Sequence, residues 1–576
     1  MTTAAEAMVT QLASYGVEYV FGTCGHTNIA LLDAIGRSSI RFVIARHEQA
    51  AAHAADGYAR ATGRTGVVLL HVGPGMTNAV TGVLTAALDS VPLVAIAGDI
   101  PSYYRGRHPH QEVNLHADAD QSAIYRPFVK RAWQVHRAAD LARFTERAFW
   151  TAASGRPGAV LLSVPMDHFS RPVTASAHAY PLGVLEKPDL PAEAADRIAD
   201  LLLAAERPLI YVGGGLRRGP GLDALRLLAE HLDIPVVHSL MAKGALPDDH
   251  PLLLGMPGFW GLELTNRHTR EADVVLACAT RFAETDASSW DRRYTWQFPP
   301  GKLIQIDIDA AEIGRNFPVE IGAVADISRA TRAIDLAVRA KRPQPHRRTG
   351  LRETITAARR SLFADSRGRG ASDNFPLRPE RILTDLRAIL PTDAVLVTDV
   401  GWNKNGVAQC YELPADGRFI TPGGASTMGF GPAAAVGVQI AEPDRTVVAL
   451  VGDGGMGAQL PALPMAVEQG APVIFVVMNN RSHGTISDLQ AANFGRSFGC
   501  DFTGPDGAAY SPDFAALGRA CGADGYPVES AAGFGDALRA AVAARRPAVI
   551  DVPMVNEPVP TPGHWNIKDI YQGVFE

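Results

Sequence analysis

The run Val447 to Asn480, VVALVGDGGMGAQLPALPMAVEQGAPVIFVVMNN, limits the chain to very few folds. VVALV and VIFVVM are short, unbroken apolar runs of the kind found in strands covered on both faces. Between them the period turns helical, with Leu460, Leu463, Met465, Ala466 and Val467 available to one face and Gly470 and Pro472 as the stop. The stretch reads as one βαβ unit, and ligands of such sheets sit beyond the carboxyl ends of the strands.

Asp453 and Asn480 stand at those ends with one helix between them. A carboxylate and an amide oxygen suit a hard cation, Mg²⁺ or Ca²⁺, and Mg²⁺ completes its shell with phosphate oxygens and water. Gly452, Gly454, Gly455 and Gly457 allow close backbone approach to a phosphate at a helix N-terminus. The Lys-Ser/Thr of a P-loop is missing.

A second stretch has the same design. Arg64-Thr65 opens one and Arg445-Thr446 the other, and each continues with an apolar strand, a G-x-G turn, a helix and a proline, Pro92 or Pro472. Such a repeat predicts two related α/β domains. Pro74 stands in the first copy where Asp453 stands in the second, so only the second can hold a metal.

GDG followed by NN at this spacing resembles the diphosphate-binding motif of thiamine diphosphate enzymes. The resemblance covers nearly the whole chain and is strongest toward the acetohydroxyacid (acetolactate) synthase-like group. It implies three doubly wound parallel-sheet α/β domains: pyrimidine-binding (1–170), central Rossmann-like (188–335) and diphosphate/Mg-binding (376–558). Residues 336–375 read as a linker and 559–576 as a C-terminal tail, a lid or dimer contact. The metal ligands carried over are Asp453, Asn480 and the Ser482 carbonyl. RHEQAAAHAADGYAR resembles the segment whose glutamate contacts N1′ of the aminopyrimidine, which gives that role to Glu48. The same likeness puts Gly73 and Asn78 beside the cofactor, Gln111 near the thiazolium, Met428 beneath the bent cofactor and Arg281 on a substrate carboxylate. His110 and His483 are further candidates for the pocket wall.

The resemblance implies thiamine diphosphate and Mg²⁺ as cofactors, with FAD in some members. The implied reaction is decarboxylation of a small 2-oxo acid such as pyruvate and addition of the remaining unit to a carbonyl acceptor. A homodimer sharing its sites between subunits, or a homotetramer, is the implied assembly. Two departures matter. Ala283-Glu284 replaces the Asp pair that usually follows RF, and Leu489 stands where the group places a pocket tryptophan. GHTN, with His26, and LLHVGPG, with His71, resemble instead cyclohexane-1,2-dione hydrolase, although that enzyme lacks the glutamate present here as Glu48. A cyclic 1,2-dione C–C hydrolase and a simple 2-oxo acid decarboxylase are therefore the alternatives. A flavin oxidase and a non-catalytic homologue are the remaining readings, the last disfavoured by Glu48, Asp453 and Asn480 together.

The chain's net charge of −6 argues against nucleic acid or an anionic membrane as partner. The N-terminus has neither a basic nor an apolar leader region, and no apolar run is long enough to span a bilayer. Five scattered cysteines with no C-x-x-C fit reduced thiols, hence a cytoplasmic enzyme.

Overall fold

A computed structural model describes residues 1–114, 120–174, 182–216 and 219–556. The C-terminal tail assigned from sequence lies outside the described residues.

Three six-stranded sheets follow one another along the chain, and every ladder within them is parallel. The first holds β1 (Tyr19–Gly22), β2 (Arg41–Ile44), β3 (Gly66–Leu70), β4 (Leu93–Asp99), β5 (Arg131–Gln134) and β6 (Ala159–Pro165). The second holds β7 (Pro208–Val212), β8 (Val236–His238), β9 (Leu253–Gly255), β10 (Val274–Cys278), β11 (Lys302–Asp307) and β12 (Ile321–Val324). The third holds β13 (Val395–Thr398), β14 (Arg418–Ile420), β15 (Val447–Gly452), β16 (Ile474–Asn479), β17 (Asp524–Pro527) and β18 (Ala548–Pro553).

The first sheet runs β2-β1-β3-β4-β6-β5 and the third β14-β13-β15-β16-β18-β17, which is the same order. The middle sheet runs β12-β11-β10-β7-β8-β9, the dinucleotide-fold order. The repeat legible in the sequence is thus a repeat of topology.

The helices follow their end signals. Thr3 and Glu6 close a reciprocal capping box on Ala4–Ser14. Glu48–Thr62 ends at Gly63 in the left-handed conformation. One expectation is corrected: the single helix between β15 and β16 is two, Asp453–Ala458 and Ala462–Glu468. Pro461 has no N–H to carry the hydrogen-bond ladder across the gap. In the stretch read as a linker, Ile327–Lys341 and Leu351–Gly370 are helical.

The first and third domains are joined by the helices Glu48–Thr62 and Phe430–Ala441, whose backbones touch. A Cβ on Gly57 would lie 2.2 Å from the Ala434 carbonyl oxygen, and one on Gly437 would lie 1.9 Å from that of Ala54. Residue numbers rise along one helix as they fall along the other, so the pair is antiparallel. Alanines 50, 51, 54, 55, 433 and 434 make the contact thin and dry, inside one apolar core shared by both domains. No described helix is long and apolar enough to cross a membrane.

Candidate active site

At the carboxyl ends of β15 and β16 the third domain gathers oxygens around one point. Asp453, 3% exposed, follows β15 directly; its Oδ1 accepts from the Gly454 N–H at 3.0 Å and its Oδ2 is buried without a partner. Asn480 follows β16 and turns its side-chain oxygen toward the Ser482 carbonyl oxygen, at 2.9 Å, and Asp453 Oδ1, at 3.3 Å. Its Nδ2 faces the other way and donates to Asn556 Oδ1 at 3.0 Å. Turned over, the amide would donate to both inward oxygens, but it would set its own oxygen against Asn556 Oδ1. As it stands, three acceptor oxygens face one another with no hydrogen bond between them, which a hard cation satisfies. Burial raises the Asp453 carboxyl to about 6, and a divalent ion would restore its charge. These residues fit Mg²⁺.

Beside this point lies a pocket of about 430 Å³ lined by Met428, Asp453, Gly454, His483, Phe502 and Phe514, among others. None of its lining residues comes from the first domain. Met428 is 38% exposed. Its loop is fixed from outside: Asp89 accepts from the Gly423 and Gly424 N–H groups at 2.8 and 2.6 Å, and Arg60 bridges Asp56 and Asp89 in a buried cluster. Gly454 faces the pocket, where His483 lies 2.7 Å from a hypothetical Cβ. Gly455 makes room for Asp399 instead: a Cβ there would stand 1.8 Å from Asp399 Oδ2. Asp399 in turn accepts from the Gly429 and Gly431 N–H groups at the start of Phe430–Ala441.

The first domain gathers a second group at the ends of β1 and β3. Glu48 opens its helix and is held by both oxygens: Thr23 Oγ1 donates to Oε1 at 2.8 Å and Asn78 Nδ2 to Oε2 at 2.9 Å. His71 is fixed through both ring nitrogens, Nδ1 to Thr27 Oγ1 and Nε2 to Gln111 Oε1, each at 2.8 Å. His26 stands edge-on to His71, ring centres 4.7 Å apart, and His110 lies 6.2 Å from His26. Partial burial and these two neighbouring imidazoles hold His26 below the usual histidine range. Gly73 has φ +60°, and a Cβ on it would lie 2.2 Å from the Gln111 carbonyl oxygen, so this glycine lets the Gln111 turn reach the site.

The sequence matches three family descriptions in chain order: thiamine pyrophosphate enzyme N-terminal TPP binding domain over residues 2–124, central domain over 195–334 and C-terminal TPP binding domain over 399–552. The chain is 34% identical to an acetolactate synthase large subunit of Parasynechococcus marenigrum over 95% of its length and 87% of the relative's. It is 32% identical to a probable acetolactate synthase large subunit of Methanococcus aeolicus, over 95% and 91% of the two chains. It is 34% identical to the acetolactate synthase isozyme 3 large subunit of Escherichia coli, over 85% and 84%. The chain belongs to the thiamine pyrophosphate enzymes, in their acetolactate synthase-like group.

In this thiamine pyrophosphate enzyme the two groups do not meet within one chain. From the Gly57–Ala434 contact, Glu48 lies toward one end of the antiparallel helix pair and Met428 toward the other. At 1.5 Å per residue they are roughly 20 Å apart. Arg46 agrees with this: it pairs with Glu468 at 2.7 and 2.5 Å, at the end of the helix that runs back from the metal point.

Arg281 lies in the cleft toward the first domain, within electrostatic reach of Arg156 and of the Asp89 that holds the Met428 loop. Its guanidinium is mostly buried, has no hydrogen bond among the described residues, and is held below its ordinary range by burial and by Arg156. Arg156 itself ties the domains together through Glu312 at 2.5 Å. The glycines at 213–215 are closed by the chain: Cβ atoms on them would lie 2.0 Å from Ala279 O, 2.8 Å from Met241 Cβ and 2.7 Å from Ala279 Cβ. That turn does not fit a flavin cradle, and no step is assigned to FAD.

Sequence reasoning missed Thr23, Thr27 and Asn556. Thr23 and Thr27 flank the GH pair already singled out, so that turn carried the signal. Asn556 had none.

Proposed function

We propose that this enzyme decarboxylates a small 2-oxo acid of the pyruvate type and adds the remaining carbon unit to a carbonyl acceptor, using thiamine diphosphate anchored by Mg²⁺. The carrying observation is the convergence of the acceptor oxygens of Asp453, Asn480 and the Ser482 carbonyl on one point beside the Met428 pocket, with no hydrogen bond between them. These three would hold Mg²⁺, which neutralises the diphosphate. When bound, thiamine diphosphate supplies the nucleophilic carbon and the electron sink.

The chain's own residues supply the rest. Glu48 takes and returns a proton at N1′ of the aminopyrimidine, its carboxylate aimed by Thr23 and Asn78. Gly73 and Gln111 shape the wall behind it. Met428 would support the cofactor from the pocket wall, and His483 lines the same pocket. His71, pinned by Thr27 and Gln111, positions His26 against the reacting carbonyl. Arg281 offers a guanidinium fork to a substrate carboxylate. The separation of Glu48 from Met428 supports sites assembled from two copies of the chain.

The cluster of His26, His71 and His110 favours a second reading, cleavage of a cyclic 1,2-dione with no loss of CO₂. The test is CO₂ release from pyruvate with thiamine diphosphate and Mg²⁺, with and without aldehyde or diketone acceptors. Release with formation of an acyloin or acetolactate supports the first reading. Release with free aldehyde as sole product indicates a simple decarboxylase. No release, together with turnover of a cyclic 1,2-dione, would replace the first reading by the second.

A further inference from the structure

A metal-ligating asparagine has a weakness that an aspartate lacks: its oxygen and its NH₂ occupy nearly the same space, and only one of them binds a cation. Near Asn480 the inward neighbours are both acceptors, Ser482 O at 2.9 Å and Asp453 Oδ1 at 3.3 Å. In the metal-free protein they pull the NH₂ inward, the wrong way. Something outside must hold the oxygen in.

The outward side of the amide supplies it. Asn480 Nδ2 donates to Asn556 Oδ1 at 3.0 Å, and Asn556 Nδ2 donates to Asp501 Oδ1 at 3.3 Å. An ionised carboxylate only accepts. Asp501 therefore forces Asn556 to turn its NH₂ outward and its oxygen toward Asn480, and Asn480 must answer with its NH₂. Asp501 is itself well held. Ser482 Oγ donates to it at 2.7 Å, Ser487 Oγ at 3.1 Å, and Ser497 also donates to it. The strand-like pairing of Ser482 with Asp501, with the His483 N–H on Cys500 O at 2.9 Å, fastens the segment that follows the helix Gly484–Phe494 back onto the residues after Asn480.

We propose that Asp501 is a positioning residue: acting through Asn556, it fixes the Asn480 amide with its oxygen toward the metal point. This rests on the Mg²⁺ reading above.

The test is Mn²⁺ binding to the thiamine diphosphate-loaded protein, followed by electron paramagnetic resonance, and needs no turnover. Asp501→Asn removes the obligatory acceptor and weakens binding about tenfold, as loss of an outer partner of a metal ligand does. Asn556→Leu breaks the same relay without touching the serine contacts and gives a similar loss. In Asn480→Asp either oxygen serves, so the relay has nothing left to set. Adding Asp501→Asn to that background changes affinity by less than about twofold. Wild-type affinity in Asp501→Asn and Asn556→Leu, or an equal loss in both backgrounds, overturns the relay. Asp453→Ala is the separate control: if it binds Mn²⁺ as the wild type does, the metal reading fails, whatever Asp501 does.

Discussion

Glu48 and Met428 stand at opposite ends of one antiparallel helix pair, with the Gly57–Ala434 contact between them. A single thiamine diphosphate molecule is far too short to bridge roughly 20 Å from its pyrimidine N1′ to its central bend, a distance set by the helical rise. On the function proposed above, each chain would offer the acid end of one centre and the metal end of another.

Complementation checks this. Glu48→Gln retains the cofactor and loses turnover by about 10²-fold or more. Asp453→Ala loses Mg²⁺-dependent cofactor affinity. Mixed and allowed to exchange, the two inactive proteins form hybrids with one intact centre, and steady-state assays should recover about a quarter of wild-type activity for a dimeric unit. No recovery after verified exchange would place both groups in one chain's centre.

The helix contact makes a stability prediction. Gly437→Ala puts a methyl 1.9 Å from the Ala54 carbonyl oxygen, backbone against backbone, where no side chain can step aside. The cost is about 3 kcal/mol, the upper end for overpacking, seen as a lower urea midpoint. Gly457→Ala, with open space at that Cβ, is the comparison expected to stay near wild type.

His53 lies fully buried on the same helix, edge-on to Phe430 at 5.4 Å, with Nδ1 unpartnered. Burial lowers its pKa to about 3. The unfolded chain takes up its proton near pH 6.5, so the unfolded state binds more protons between those values. The neutral ring's stability is fully present above about pH 6.5 and is lost as pH falls toward 3, at up to about 1.4 kcal/mol per pH unit. Asp399 and Asp453, raised to about 6, act in the opposite sense. The difference between wild type and His53→Leu isolates the imidazole: denaturation from pH 7 to 4 should show the gap shifting in favour of the variant as pH falls. A gap independent of pH would show that His53 titrates normally.

Gln111→Leu leaves His71 Nε2 without its partner. We expect kcat/KM to fall about tenfold, in line with an unmade buried hydrogen bond, with Mn²⁺ affinity unchanged, because nothing in the third domain is touched. Equal loss of both would show that Gln111 supports the fold and not the site.

Much of this was legible in the chain because it is written locally. Asp453 and Asn480 each follow an unbroken apolar strand, and strand ends in a parallel sheet converge. The duplicated pattern around Gly73 and Gly452 announced the repeated topology. Other parts were not local. Leu460, Leu463 and Val467 keep a helical period straight across Pro461, so periodicity alone hid the break. Gly455 read as room for a phosphate, and its neighbour proved to be Asp399, which only the fold brings near. Asn556 and Asp501 are distant in sequence from Asn480 and from each other, and no spacing rule links an amide to the group that decides which way it faces.

The shared strand order of the first and third sheets has a further consequence. Duplication hands a protein two equivalent crevices, and two copies of one binding site compete for the same ligand. Here the copies differ at one chemical choice, Pro74 against Asp453. On the function proposed above, the proline forfeits the cation, and that loss would free the first crevice to specialise in proton handling while its twin keeps the charge. Division of labour between duplicates, usually told of separate genes, would then be written inside one polypeptide, and each chain would need a partner copy to complete the chemistry.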